Sequence, residues 1–475
     1  MIFTTLAFLV FLLVLLPAYW ALRDDRWRQW LLLAGNLFFY GWWDWRFTGL
    51  LLAVIVISWV SGLAVGRSGP GSRRGLVWMY GACTALLLVL GYFKYANFFL
   101  GSLQAAVERF GGEVSWTTLN IILPAGISFY IFQAISYIVS VYRAKVGSEP
   151  NIVRLGVYLS FFPHLVAGPI IHAGYFLPQL ESKRRFDALL FFEGARKIVI
   201  GFLYKAVFAD NLAPLVDSVF RAPAAQSNLS VFGGCLAFYG QIYFDFAGYS
   251  LMAIGVSNLF GYLLPDNFNH PYRAASVIDF WHRWHISLST WLRDYVYIPL
   301  GGNRGSRLFQ YRNVVVTMFL GGLWHGASWN FVLWGLIHAA ALCVNHEWRA
   351  WREQRWTECP PAVAFCGRLG GIVLTQAIVF LCLIPFRATS FADTWAIICS
   401  LGSLIAGNPG TAVAFPWLLA ALPLLADTWL VGQSRWRERF ALRSNVALYA
   451  VLLLALLVGF LFMHVGSVPF IYFQF

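Results

Sequence analysis

The chain has 475 residues, of which 59% are hydrophobic and only 12% charged, so it cannot be a soluble globular protein of ordinary domain size. Lysine and arginine outnumber aspartate and glutamate by 34 to 21, which gives a net charge of +13. The basic residues form short clusters between apolar runs. This pattern is typical of cytoplasmic loops that face anionic lipid and speaks against binding of nucleic acid.

Long apolar runs dominate the sequence, and at about 20 residues per crossing they predict an all-α integral membrane protein with about 10–12 transmembrane helices. The first run lacks a basic start and a small-residue cleavage site, so we expect a retained span and not a signal peptide. Because basic loops usually face the cytoplasm, the positions of the basic clusters predict that the N-terminus of the chain lies outside the cytoplasm. The runs lie at 1–22, 30–65 (a pair broken near 41–46), 76–93, 119–142, 188–208, 231–262, 313–345, 366–386, 411–431 and 446–466.

Residues 155–180 fit a simple crossing poorly, because they contain three prolines and begin and end near basic clusters. We predict a re-entrant, broken helical segment, which is tolerated at membrane depth only where protein or a wet cavity surrounds it. His164 and His172 in this segment are interpreted as structural. The run 393–407 also fits a simple crossing poorly because of the charges near its ends, but its sequence pattern is weaker evidence for a broken segment. Since no repeat is visible and no polar stretch is long enough to form a separate soluble domain, residues 1–475 are predicted to form a single membrane domain.

The most polar stretch, residues 265–313, lies between strongly apolar runs, and we call it the polar island. Ser276 or Asp279 is a candidate cap for a helix predicted to run from about 278 to 297, ending near Pro299. An amphipathic helix at the membrane interface, with tryptophans as its aromatic belt, would give the same pattern. The island by itself leaves the functional and the interfacial interpretation open.

Two histidines of this predicted helix, His282 and His285, are three positions apart and therefore share one face. A histidine that carries protons near neutral pH needs an orienting partner. Asp279 or Asp294 is the predicted partner of His285. A metal site is not predicted, because these histidines and His325 have too few further ligands nearby.

His325 lies in a run, residues 318–331, that is otherwise apolar enough to span a membrane. Ionisable groups at membrane depth are costly and indicate function. Nearby glycines keep the backbone uncrowded, which suits close helix packing or the approach of a ligand. Trp324 and Asn330 flank the histidine and are predicted to support it. We therefore predict that residues 265–345 form the catalytic core region.

Two further features are assigned supporting roles. Asp245 lies in an apolar run and is predicted to pair with an arginine of the polar island instead of reacting directly. A basic, glycine-rich loop without a Walker pattern can bind the phosphates of a nucleotide-like donor through Arg304, Arg307 and Arg312. The seven cysteines are odd in number and contain no C-x-x-C, so neither a disulfide framework nor a zinc ribbon is predicted.

Several long motifs are spread over nearly the whole chain. They are GYFKYAN (91–97), LPAGISFY (123–130), FPHLVAGP (162–169), YFDFAGY (243–249), DFWHRWHISLSTWLRDY (279–295), GGNRG (301–305), GGLWHGA (321–327) and PFIYFQF (469–475). Together they resemble the membrane-bound O-acyltransferase family, specifically the branch that contains the alginate O-acetyltransferase membrane subunit. Where that family usually has serine, aspartate and arginine, this chain has Ala247, Leu251 and His282.

The resemblance implies a helical fold with re-entrant and interfacial helices around a central tunnel, in the cytoplasmic (inner) membrane of a bacterium. It implies that His325 acts in acyl transfer and that His285 is the second functional histidine. It also implies acetyl-CoA as the donor, with no permanently bound cofactor. An extracytoplasmic acetyltransferase is the implied partner, and a polysaccharide is the implied acceptor.

Other interpretations remain open from the sequence. The acceptor can be alginate, peptidoglycan or another glycan, and a D-alanyl donor for teichoic acid is a further alternative. Whether His325 is a general base or is transiently acylated is also open. A polytopic transporter or exporter would explain buried histidines as well, although the inverted repeats typical of that class are not visible. A scaffold for a secreted enzyme would not need His325.

Overall fold

A computed structural model describes residues 1–113, 119–355, 360–405, 445–463 and 470–471, without the side chains of 445–449 and 451–452. Within these ranges the chain is helical and has no strand, which confirms the predicted all-α class. The α-helices are α1 (Leu6–Ala21), α2 (Asp25–Gly41), α3 (Arg46–Ser68), α4 (Arg73–Leu90), α5 (Ala96–Arg109), α6 (Ile127–Tyr142), α7 (Ile152–Ser160), α8 (Phe162–Leu165), α9 (Ala173–Glu181), α10 (Ala188–Phe202), α11 (Asp210–Arg221), α12 (Asn228–Leu259), α13 (Val277–Arg283), α14 (Ile286–Leu292), α15 (Arg307–His325), α16 (Trp329–Arg355), α17 (Pro361–Arg387), α18 (Phe391–Ile405) and α19 (Asn445–Phe462).

Four helical stretches of the described residues are long and apolar enough to cross a membrane, as expected of a multi-pass membrane protein. Two of them run through a π-helical turn, Gly91–Tyr95 between α4 and α5 and Leu203–Ala209 between α10 and α11. The predicted total of about 10–12 crossings stays a prediction, and the run 411–431 lies outside the described residues. The four stretches are Arg46–Ser68, Arg73–Arg109, Ala188–Arg221 and Pro361–Arg387.

The chain divides into two compact units. The first comprises residues 1–198 and 250–265, and the second comprises 199–249 and 266–475 within the described ranges. Each unit is described by itself below. The prediction of one membrane domain over the whole chain stays a prediction.

The first unit contains the segment that the prolines mark as broken. It forms the three short helices α7, α8 and α9, and every residue from Leu155 to Ile171 is buried. His164 is fully buried, and its Nδ1 lies 3.1 Å from Nε2 of Gln133 on α6. The prediction of a broken helical segment surrounded by protein is confirmed, whereas its depth in the membrane stays a prediction.

The second unit contains a helical hairpin within the apolar run 313–345. One helix, α15, ends at His325, and the next, α16, begins at Trp329. Gly326 is extended at the end of α15, and the hydroxyl of Ser328 accepts a hydrogen bond from the backbone N–H of Asn330 at 3.2 Å. A small residue that can leave the helix and a capping serine therefore interrupt the apolar run.

Two glycines hold the hairpin helices together at close range. A Cβ at Gly322 would collide with the carbonyl oxygen of Phe331, and a Cβ at Gly335 would collide with that of Met318. Small residues allow this kind of close backbone approach between helices. The contact fixes the end of α15, and with it the position of His325.

We expect Gly322→Val to destabilise the protein by about 3 kcal/mol, because the backbone carbonyl that it meets cannot rotate away as a side chain can. The measurement is the fraction of detergent-solubilised protein that stays monodisperse after heating. Gly367→Val is the matched control, since Gly367 is also helical and has no atom within 4 Å of its added Cβ. Equal thermal stability of the two variants would contradict the close-contact role.

Candidate functional site

His325 occupies the last position of α15 and is only 3% exposed. Its ring is surrounded by aromatic side chains, with edge-on contacts to Trp334 at 4.8 Å and Phe386 at 5.1 Å between ring centroids. Aromatic walls exclude water, and a low-dielectric surrounding strengthens any electrostatic interaction made there. The sequence-based prediction that His325 is buried in an apolar surrounding is confirmed.

His285 lies at a break in the polar island and not inside a helix. The predicted helix from 278 to 297 is wrong in this respect, because α13 ends at Arg283 and α14 begins at Ile286. His285 itself has φ +42°, a left-handed conformation that is unfavourable for a residue other than glycine. Such strain persists only where the surrounding structure holds it, and it is concentrated at functional sites.

The amide of Asn267 orients His285. Oδ1 of Asn267 lies 3.2 Å from Nδ1 of His285 and also accepts hydrogen bonds from the backbone N–H and the hydroxyl of Ser287. Because an amide oxygen can only accept hydrogen bonds, Nδ1 of His285 must carry the ring proton. Nε2 of the same ring therefore keeps its lone pair. Nε2 has no hydrogen-bond partner among the described residues. His285 is thus set up as a proton acceptor.

Burial keeps His285 neutral. The ring is fully buried, and desolvation of its charged form lowers the pKa of His285 to about 3. At neutral pH the imidazole is therefore uncharged and able to accept a proton or a hydrogen bond at Nε2.

Trp324 connects the two histidines. Its ring centroid lies 5.6 Å from that of His285 and 5.1 Å from that of His325, and both contacts are edge-on. Trp334 lies in the same way between two histidines, because its ring centroid is 4.8 Å from that of His325 and 4.7 Å from that of His338. Three buried histidines are therefore separated by single tryptophan rings within the second unit.

A narrow, mostly enclosed cavity lies against His325 and His338. The volume that the centre of a water molecule can occupy there is about 10 Å³, which is room for about one water. Its lining combines aliphatic side chains with aromatic rings. The further lining residues are Ile242, Tyr272, Phe280, Trp284, Trp334, Val379, Leu383 and Phe386.

The carboxylates predicted to orient His285 do not contact it. Asp279 pairs with Arg283 at 2.7 Å, and Asp294 pairs with the neighbouring Arg293 at 2.7 Å. His282 is exposed, whereas His285 is fully buried. The break at position 285 explains these errors, because residues three apart share a face only while the helix continues.

Asp245 is buried as predicted, but its partner is not an arginine of the polar island. It forms an ion pair with Lys205 at 2.9 Å. Asn330 is also buried, and its Nδ2 donates to the backbone carbonyl of Ala388 at 2.8 Å. Asn330 therefore ties the start of α16 to the end of α17 and positions the aromatic wall around His325.

The three arginines proposed for donor binding lie on the surface at the opposite end of α15 from His325. At 1.5 Å per residue, Arg312 is about 20 Å and Arg307 about 27 Å along the helix from His325. Arg307 pairs with Glu347 at 2.7 Å, and Arg312 donates to the carbonyl of Leu300. They do not contact the histidines, so any donor that uses them must be long.

Two residues of the site were missed at the level of sequence. Asn267 belongs to the polar island, but an asparagine in a loop carries no spacing signal that links it to a histidine 18 positions later. His338 was not among the predicted site residues, although it follows Trp334 by one helical turn and so shares its face. Among the described residues, no group of three histidine, cysteine, aspartate or glutamate side chains could hold a metal ion.

These features define an integral membrane protein with a buried histidine site. Residues 143–384 match the model of the membrane-bound O-acyltransferase family, and the chain belongs to that family. It is therefore an O-acyltransferase, and the predicted resemblance is confirmed.

Relatives with related activities cover most of the chain. The probable alginate O-acetylase AlgI of Azotobacter vinelandii is 43% identical over 349 residues, 74% of this chain and 69% of that protein. The protein of the same name from Pseudomonas aeruginosa is 39% identical over 402 residues, 83% of this chain and 74% of that protein. The peptidoglycan O-acetyltransferase of Helicobacter pylori is 36% identical over 348 residues, 67% of this chain and 64% of that protein.

Proposed function

We propose that this protein takes an acetyl group from cytoplasmic acetyl-CoA and passes it across the bacterial inner membrane for O-acetylation of an extracytoplasmic polysaccharide, alginate or a similar exopolysaccharide. The observation that carries the proposal is the pair of buried histidines, His285 and His325, on either side of Trp324. The similarity to alginate O-acetylases supports the acetyl donor and the glycan acceptor. An extracytoplasmic acetyltransferase partner completes the delivery to the sugar hydroxyl.

The chemistry needs a base in a dry, preorganised place. An acceptor hydroxyl oxygen attacks the thioester carbonyl carbon, and His325 removes the hydroxyl proton as the new C–O bond forms. The C–S bond then breaks, and the coenzyme A thiolate leaves and takes up a proton. Aromatic walls around His325 exclude bulk water, and exclusion of bulk water would strengthen any dipole that stabilises the oxyanion.

His285 is assigned to orientation of the acceptor and relay of its proton. Its Nδ1 proton is committed to Asn267, so Nε2 is the atom that can accept a hydrogen bond from a hydroxyl. The lowered pKa keeps this atom unprotonated at neutral pH. His285 thus fits the role of an uncharged hydrogen-bond acceptor for the hydroxyl group that receives the acetyl group.

Donor binding is assigned to the basic surface at the start of α15. Arg304, Arg307 and Arg312 are exposed there and can bind the phosphates of coenzyme A. Coenzyme A carries its thioester at the end of an extended arm, so phosphates at this end of the helix are compatible with chemistry at His325.

A second candidate function is O-acetylation of peptidoglycan. The specific observation is the 36% identity to the Helicobacter pylori peptidoglycan O-acetyltransferase. The same donor and the same two histidines would serve this reaction, and only the acceptor differs.

The test uses inverted membrane vesicles that contain the protein and its partner acetyltransferase, with radiolabelled acetyl-CoA added outside, at the cytoplasmic face. Alginate oligosaccharides or peptidoglycan fragments are enclosed in separate preparations. We expect alkali-labile acetyl ester on the enclosed alginate for the wild-type protein and none for His325→Ala.

Two results would contradict the proposal. Ester formation that His325→Ala leaves unchanged would mean that this histidine does not act in the transfer. Equal use of donor from both faces would contradict transfer across the membrane. Labelled peptidoglycan with unlabelled alginate would select the second candidate.

A further inference from the structure

The second unit buries three charged side chains together, Lys205, Asp210 and Asp245. Nζ of Lys205 lies 2.7 Å from Asp210 and 2.9 Å from Asp245, and the side chains of Lys205 and Asp245 are 1% and 2% exposed. Lys205 lies on the π-helical turn between α10 and α11. Buried ion pairs stabilise a fold little, because desolvation offsets their attraction. A role in placing another group accounts better for this pair.

The group that Asp245 places is a piece of backbone. Its Oδ1 contacts Lys205, and its Oδ2 accepts a hydrogen bond from the backbone N–H of Ile471 at 2.8 Å. A charged acceptor makes this bond stronger than a neutral one would. Residues 470 and 471 are both buried, Phe470 at 0% and Ile471 at 1% exposure. A segment more than 200 positions away in the sequence is thus attached to α12.

The attached segment packs onto the aromatic wall behind His285. The Phe470 ring lies 4.7 Å from Tyr249 and 5.9 Å from Phe246, measured between ring centroids. Phe246 in turn meets His285 edge-on at 4.6 Å. Asp245 and Phe246 are neighbours on α12, so the residue that binds the segment and the residue that supports His285 move together.

We propose that Lys205 and Asp245 are positioning residues that hold the 470–471 segment so that Phe470 keeps Phe246 and the His285 ring in place. Lys205 fixes the Asp245 carboxylate, the carboxylate fixes the Ile471 backbone, and Phe470 closes the wall. The effect on catalysis rests on the proposed function of His285, whereas the attachment of the segment does not.

A matched pair of substitutions tests this role. Asp245→Asn keeps an oxygen acceptor for Ile471, and Asp245→Leu has a similar size but no acceptor. Lys205 keeps Asp210 as a partner in both variants. Each is combined with Ile471→Cys, and alkylation of that cysteine by N-ethylmaleimide is followed by mass spectrometry of its peptide. Acetyl transfer is measured in parallel on the same variants without the cysteine.

We expect alkylation at position 471 to be about tenfold faster with Asp245→Leu than with Asp245 intact, the effect of losing one charge-assisted hydrogen bond. Asp245→Asn keeps a neutral and therefore weaker acceptor, so its alkylation rate should lie between those of Asp245→Leu and the intact aspartate. The kcat for acetyl transfer should fall about tenfold in Asp245→Leu, with KM for acetyl-CoA unchanged, because the donor site is not involved.

Each alternative result has a separate meaning. Slow alkylation in Asp245→Leu would overturn the attachment, and fast alkylation with full kcat would overturn its link to His285. Absence of transfer by the wild-type protein would contradict the proposed function while leaving the alkylation result valid. If Asp245→Leu does not fold, Phe470→Ala takes its place, and unchanged kcat in Phe470→Ala would equally overturn the proposal.

Discussion

Replacement of His325 by alanine is expected to lower acetyl transfer by about 10²–10⁴-fold, because the acceptor hydroxyl then loses its general base. The protein should still fold, since the ring makes aromatic contacts at the end of a hairpin that two glycines hold together. The measurement is the initial rate of ester formation from labelled acetyl-CoA, at protein levels matched by quantitative immunoblot.

His282→Ala is the control for this experiment. His282 is exposed and lies outside the buried site, so its variant should keep the wild-type rate. A rate for His325→Ala within twofold of His282→Ala would show that His325 is structural. Acid quenching during turnover adds a second comparison, since label bound to the wild-type protein but absent from His325→Ala would favour transient acylation over general base catalysis.

Replacement of His285 by alanine is expected to lower transfer by about 100-fold, less than the loss of His325, because the acceptor loses its partner but the base remains. A steady-state analysis with varied acceptor separates the two effects. We expect KM for the acceptor to rise together with a fall in kcat, while KM for acetyl-CoA stays the same.

The double variant His285→Ala/His325→Ala distinguishes a shared path from independent roles. Groups that act as one unit are strongly non-additive, so the double variant should be no slower than His325→Ala alone. Multiplication of the two single losses would mean that the histidines act on separate steps, and the proton relay through His285 would be wrong.

Much of the fold and the burial of His325 could be predicted from the sequence. Apolar runs and prolines reveal helices and their breaks, because the bilayer and the missing N–H of proline act locally. The broken segment over 155–180 was predicted for this reason. His325 could be predicted because an ionisable residue in a long apolar run is rare whatever its surroundings.

The partners of these residues could not be predicted, because they depend on local breaks and on long-range packing. One left-handed residue at position 285 separates His285 from His282 and from both predicted aspartates. Asp245 was expected to pair with an arginine of the polar island, and this prediction was wrong. Only the fold selects Lys205, which lies on a π-helical turn 40 positions earlier.

The small volume of the cavity beside His325 limits hydrolysis of the proposed thioester donor. A thioester is spontaneously hydrolysed only if a water molecule and the carbonyl group meet, and room for about one water does not accommodate both. On the proposed function, the wall would therefore protect the thioester from hydrolysis. Donor and acceptor would then reach His325 only when the side chains that line the cavity move aside, and the rate of transfer would depend on that motion.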